Sequence, residues 1–306
     1  MAEEIQKTPA VSILLLTLDE EVCLPFALRS VAWCDDIVVV DSGSRDRTIE
    51  IAKQAGARVF VHPFEDYSKQ RNWSIHEVQF KHPWVFILDA DEEIPAALRD
   101  ELAVVARPEA PESAFRVRFR VYFMGRWIKH ASQYPVWVVR LIRPEKVAYD
   151  DRVVNEHPIA DGPVGALEND LLHIDRRGLS RHFHKQNVYS SLEAVEYARH
   201  KLSAKGLSGF TSRNPMARRR ALKELSIHLP GRTFLKFLYC YLLKGGLVDG
   251  IPGLHWSILN GVQEYMTSLK VEEIQGGFAQ PRENGAASPP DPLGSESSIG
   301  AGDIEQ

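Results

Sequence analysis

The run Trp84-Val-Phe-Ile-Leu88, followed at once by Asp89-Ala-Asp91, constrains this chain more than any other stretch. An apolar run of this length suits a fully buried strand and is too short for a helix. In extended chain, residues two apart face the same side, so Asp89 and Asp91 are expected to project together. At the carboxyl end of a strand in an α/β sheet, that side opens on the ligand crevice. Two carboxylates held close repel each other unless a cation lies between them. Hard oxygen donors select Mg²⁺ or Mn²⁺, carrying a phosphate. A second reading stays open, in which Asp89 or Asp91 caps a helix starting near Ile94-Pro95.

The residues before this run place it in a larger pattern. Val11-Ser-Ile-Leu-Leu-Leu16 is a buried-type strand, and Thr17-Leu-Asp-Glu-Glu21 is expected to open a helix after it. Ile37-Val-Val-Val40 is a second strand, closed by Asp41-Ser42-Gly43-Ser44; Thr48 to Ala55 reads as a helix stopped by Gly56, and Arg58-Val-Phe-Val61 as a third strand. Apolar strands alternating with helices predict a parallel α/β sheet covered on both faces. Polar residues gather after each strand: Thr17 and Glu20, then Asp41 to Asp46, then Asp89 and Asp91. In an open parallel sheet these ends share one edge. Gly43 permits a tight turn that brings backbone N–H groups toward a ligand, although Asp41 or Ser42 could equally be a plain helix cap. Lys69-Gln-Arg71-Asn72 opens the next helix with cations and amides suited to a diphosphate, or with an ordinary solvated first turn.

Taken in order, these four motifs resemble the nucleotide-sugar half of family 2 glycosyltransferases of GT-A fold. The resemblance implies a mostly parallel Rossmann-like sheet with flanking helices. It implies that Asp41 and the Thr17/Glu20 turn hold the nucleobase and ribose, with Ser42, Gly43, Lys69, Arg71, Asn72 and Asp89 completing the donor site. Asp89 and Asp91 become the pair that binds divalent metal and diphosphate, with UDP-sugars the commonest donors. This chain has Asp19-Glu20 where the family usually has Asn-Glu.

Phe115-Arg-Val-Arg-Phe-Arg-Val-Tyr-Phe123 alternates apolar with mainly basic residues, the pattern of a half-exposed strand. Met124 to His130 and Trp137 to Arg143 are expected to form a second ribbon beside it. Arginines interleaved with aromatics suit sugar faces and phosphates, or the outer surface of an edge sheet. Together with Tyr134-Pro135, Val154-Asn-Glu156, Gly162-Pro-Val-Gly165 and Leu171-Leu-His173, this half is similar to bacterial lipopolysaccharide core glucosyltransferases. By that resemblance Glu156 is the base that takes the acceptor proton in an inverting transfer, with Asp150 and Asp151 in reserve. His173 could add a nitrogen ligand to the metal or a donor to the diphosphate, or be structural.

The net charge of −4 hides an asymmetry, for residues 176–246 hold fifteen Lys and Arg against three acids. Arg232 to Lys244 is apolar and aromatic between cations, and at about 1.5 Å per residue it is too short to cross a bilayer. It fits the headgroup layer of an anionic membrane, or a helix pair docked on the first domain. Nucleic acid is not expected, since nothing in the first half is built to read bases. Three cysteines without metal-ligand spacing and a start without a signal peptide point to a cytoplasmic protein, peripheral at the inner membrane face. The chain thus divides into 1–175, a glycosyltransferase domain; 176–275, a basic helical extension; and 276–306, a Gly/Ser/Pro-rich tail expected to be disordered. A dehydrogenase is excluded because no Gly-X-Gly-X-X-Gly follows the first strand, and acidic Asp19-Glu-Glu21, standing where a nucleotidyltransferase needs a basic phosphate loop, argues against that class. A non-catalytic scaffold that binds nucleotide sugars and membranes remains the alternative.

Overall fold

A computed structural model describes residues 9–132, 134–150, 158–199 and 231–278. Its first half is a βα alternation: β1 (Val11–Thr17), α1 (Leu24–Ser30), β2 (Ile37–Asp41), α2 (Thr48–Gln54), β3 (Arg58–Val61), α3 (Tyr67–His76) and β4 (Trp84–Asp89). There follow β5 (Glu92–Glu93), α4 (Ala96–Val105), β6 (Ala114–Phe123), β7 (Arg126–Trp127), β8 (Trp137–Ile142), β9 (Val147–Tyr149), β10 (Pro158–Ala160), β11 (Val164–Ala166) and β12 (Leu171–His173). The main sheet runs β3-β2-β1-β4-β8-β6-β12-β5. The first four of these strands are parallel. β8 then enters antiparallel to both β4 and β6, so the sheet is mixed rather than purely parallel.

Burial explains why these strands are nearly continuous apolar runs. On one face Ile13, Leu15, Phe86 and Leu88 pack under Leu24 and Leu28 of α1 and Leu98 and Leu102 of α4. On the other, Leu14, Val38, Val40, Val85 and Ile87 pack under Ile75 of α3 and Tyr149 of β9. Each such side chain, fully buried, contributes roughly 1.5–3 kcal/mol.

Two expectations are corrected. α1 starts at Leu24 rather than at Thr17 to Glu21, because residues 19–21 donate their backbone N–H groups to the side chains of a neighbouring loop. The segment from Trp137 joins the main sheet directly, and only Arg126–Trp127 folds back on β6, across the two-residue turn Met124-Gly125. Pro252 and Gly253 lie in the first turn of the last helix, where proline forfeits no helical hydrogen bond.

The extension contains α5 (Gly178–Arg199), α6 (Arg232–Leu238), a π turn at Tyr239–Leu243 and α7 (Gly250–Gln275). It docks on the β6–β7 hairpin region. Buried Asp249 accepts from the N–H groups of His130 and Ala131, both at 2.9 Å, and pairs with the His130 ring at 2.8 Å. Phe123 packs edge-on to Trp256 at 5.3 Å. Gly253 is required by close approach, since a Cβ there would lie 2.2 Å from the Gly246 carbonyl oxygen. Residues 216–227, with the Arg218-Arg-Arg220 run, and most of the tail fall outside the described residues.

Candidate active site

The strand order reverses between β1 and β4, and an open α/β sheet binds ligands outside the carboxyl ends at such a reversal. The ends are level there. Thr17 pairs in register with Asp41, and Leu16 with Asp89, so three of the sequence-selected positions stand along one edge.

The loops after β1 and β2 are tied into one unit. Asp41 is wholly buried, and its Oδ1 accepts from the N–H groups of Gly43 at 2.9 Å and Ser44 at 2.7 Å. Its Oδ2 accepts from Thr17 Oγ1 at 2.8 Å and Ser44 Oγ at 2.5 Å. In this arrangement Asp41 shapes the loop that would meet a nucleotide. Gly43, at φ 95°, makes the turn no other residue takes without strain. Ser42 donates its N–H to the Thr17 carbonyl at 2.9 Å, and its hydroxyl accepts from Gln70 at 3.2 Å.

Of the α3 trio, one side chain reaches the β4 end. Arg71 stands 3.7 Å from Asp89 and lies over the Tyr149 ring at 5.4 Å. Lys69 is exposed and pairs with Glu65 at 2.7 Å. Asn72 closes both its amide atoms on the backbone of Tyr149, at 2.9 and 2.8 Å, and so fastens β9 to α3.

The two aspartates do not continue a strand together. β4 ends at Asp89, the chain turns at Ala90-Asp91, and each carboxylate meets its own cations. Asp89 pairs with Arg140 at 2.5 Å, and the same guanidinium reaches the buried Glu92 at 2.7 Å. Burial opposes the charge on Asp89, but Arg140 and Arg71 outweigh it and hold the carboxyl below its usual range. Burial pushes Glu92 the other way, up to about 8, against the pull of Arg140. Neither aspartate caps the following helix, whose cap residue is Pro95 with no side-chain bond.

Asp91 sits among a second set of charges. Arg177 donates to it at 2.7 Å, to Asp175 at 2.8 Å, and also to Glu20. Three carboxylates from three separate loops thus converge on one guanidinium. Burial pushes Glu20 up to about 8, with Arg177 opposing and Asp91 adding to the rise. Asp175, where burial is outweighed by its bonds to Arg177, is held at about 2. Glu20 Oε2 is buried without a hydrogen-bond partner among the described residues. His173, at the end of β12, points Nδ1 at Asp91 Oδ1 across 3.5 Å. Two ligands at right angles on one metal, each about 2.1 Å away, stand about 3 Å apart. Asp91 and His173 stand near that spacing, but no group of three or more acidic, histidine or cysteine side chains among the described residues is arranged to hold a metal ion.

Sequence reasoning missed Glu92, Arg140, Asp175 and Arg177. Glu92 was within the acidic run Asp89 to Glu93, and Arg177 within the junction His173-Ile-Asp-Arg-Arg177, but nothing in the chain order says that they meet. Glu156 and Asp151 lie outside the described residues.

Residues 12–160 match the profile of Glycosyl transferase family 2. The lipopolysaccharide core biosynthesis glycosyltransferase LpsC of Rhizobium meliloti is 28% identical over 291 residues, covering 93% of this chain and 99% of that one. An uncharacterized glycosyltransferase of Rickettsia typhi, RT0209, is 25% identical over 86% of this chain and 87% of its own length. A solved mannosyltransferase from Pyrobaculum calidifontis covers 86% of this chain and 87% of its own at 14% identity and a TM-score of 0.44, a likeness too loose to argue from. With the family match over residues 12–160 and a relative aligned over nearly the whole length, the chain carries a family 2 glycosyltransferase domain and resembles the lipopolysaccharide core enzymes.

Proposed function

We propose that this enzyme moves a sugar from a nucleotide-sugar donor, a UDP-sugar first among them, to a glycan or lipid-linked acceptor of lipopolysaccharide-core type, with inversion. The observation that carries the reading is the gathering of Glu20, Asp91 and His173 about Arg177 at the carboxyl edge of the sheet, with Asp89 ending the adjacent strand between Arg71 and Arg140. The Thr17/Asp41 loop unit offers the nucleobase and ribose a rigid wall, and Arg71 a cation for the diphosphate. A divalent metal, Mg²⁺ or Mn²⁺, would be held by Asp91 and His173 with Asp89, and when bound would stabilise negative charge on the departing diphosphate. Arg177, pinned between Glu20, Asp91 and Asp175, keeps these acids together and sets how much negative charge the site carries. Glu156 is proposed on its motif position as the group that takes the acceptor proton.

Membrane association at the inner face belongs to the same proposal. No described helix is long and apolar enough to cross a membrane. Leu242, Leu243, Leu247, Val248 and Ile251 are nevertheless more than half exposed on the extension, beside Lys244. Such a surface suits burial at the headgroup boundary of an anionic leaflet.

A thermal-shift screen of nucleotide sugars with and without Mn²⁺, followed by a transfer assay with NMR of the product anomer, tests this reading. One nucleotide sugar should stabilise the protein in a Mn²⁺-dependent way and yield a product of inverted configuration. Mn²⁺-dependent binding of a nucleotide sugar without its hydrolysis or sugar transfer to any acceptor would favour the scaffold alternative.

A further inference from the structure

The alternating strand β6 is not accounted for by the donor site. Its residues Arg116, Arg118 and Arg120 line one side of the strand, and each guanidinium lies over a tryptophan. Arg116 and Arg118 stand 4.8 and 5.1 Å from the centre of the Trp137 ring. Arg120 is 4.6 Å over Trp127, where Lys129 also approaches to 5.5 Å. Arginine stacked on an aromatic face has its plane set in advance and keeps its edge N–H groups for an anion.

The charge does not balance. Asp170, buried at 5% exposure, takes Arg118 and Arg120, both at 2.7 Å. Arg116 and Lys129 are exposed and have no carboxylate partner among the described residues. Among the described residues the ladder thus sets four cations against one acid, which two of them engage. The indole N–H of Trp127 is buried without a hydrogen-bond partner. Flat half-exposed indoles between fixed cations suit the face of a sugar ring that carries a negative substituent.

The ladder also leads to the reaction centre. Arg120 is in register with Leu172, and Val121 with His173, so its upper end is one strand from the residue facing Asp91. From Arg116 to Arg120 it runs about 13 Å at the usual rise of a strand.

We propose that the Arg116–Arg118–Arg120 ladder, with Trp127, Trp137 and Lys129, is the acceptor subsite, and that it selects a glycan bearing phosphate or carboxylate groups. The proposal rests on the glycosyltransferase reading and adds the acceptor's charge to it. A lipid surface fits less well here, because the densest exposed aliphatic side chains lie on the extension around Leu243 and Ile251.

The test uses the full chain and two double variants at the unpaired positions, Arg116→Glu/Lys129→Glu and Arg116→Ala/Lys129→Ala. The probes are an O-deacylated, phosphorylated lipopolysaccharide core oligosaccharide and the same material dephosphorylated and carboxyl-reduced, titrated calorimetrically without donor or metal. The parent protein should bind the anionic probe at least tenfold more tightly than the neutral one. The charge reversal should weaken the anionic probe tenfold or more, and the alanine pair by a smaller factor. The Mn²⁺-dependent thermal shift with UDP and the unfolding midpoint should not move. Equal binding of both probes, or unchanged affinity in both variants, overturns the subsite. So does a result in which the variants lose sedimentation with anionic vesicles while oligosaccharide binding is intact. Failure of the function reading looks different: the anionic probe binds as expected, yet no nucleotide sugar supports transfer.

Discussion

Arg177→Met tests whether one guanidinium holds the acidic centre together. Its side chain is 12% exposed, and its partners Glu20, Asp91 and Asp175 are 12%, 10% and 24% exposed, so solvent screens these pairs weakly. Asp175 is held at about 2 against an ordinary 3.8. At about 1.4 kcal/mol per unit, that pairing alone stabilises the fold by roughly 2 kcal/mol. Removing one partner of a buried pair leaves uncompensated charge and costs about 3–5 kcal/mol. We expect a loss in that range near neutral pH. The sign with pH follows from linkage. In the parent, the Asp175 contribution is complete above its unfolded value and is lost only as pH falls through about 2. In the variant the unpaired acids bind protons more readily, so acidification restores part of its stability. The deficit should therefore be widest near neutrality and narrower at about pH 5, read by urea unfolding followed by tryptophan fluorescence. A variant with an unchanged midpoint near neutral pH, or a deficit independent of pH, would refute the argument.

Asp91→Ala should abolish Mn²⁺-dependent nucleotide binding and leave the circular dichroism spectrum unchanged; unaltered binding removes the metal assignment. Glu20 carries a raised pKa, so the stability that its protonated form contributes is full below about 4.5 and is lost as pH rises through about 8. Glu20→Gln should flatten that part of the stability–pH curve, and a curve of unchanged slope would contradict the burial argument. Asn72→Ala leaves the Tyr149 N–H and C=O without their partners and should cost about 1–3 kcal/mol in chemical unfolding, whereas a purely donor-binding role predicts a stable protein. Asp249→Ala should loosen the extension from the β6–β7 hairpin. Hydrogen exchange at the amides of His130 and Ala131 would rise before global unfolding, and equal protection would mean the docking does not depend on this carboxylate.

The sequence by itself determined the framework. Apolar runs at Val11, Ile37 and Trp84 can be buried only as central strands, and a polar residue ending each run has to lie at the sheet's edge. That local arithmetic sufficed for the order of elements and for the neighbourhood of Thr17, Asp41 and Asp89. It did not decide the partners. Arg140 and Asp89, or Glu20, Asp91 and Arg177, lie far apart along the chain and meet only because β8 enters antiparallel beside β4 and β12 returns beside β6. Charges select each other by distance in space, at energies that depend on how far water is excluded, and neither quantity is written in residue spacing. The same holds for Asn72, which the motif marks for a ligand and the fold engages on the backbone of Tyr149.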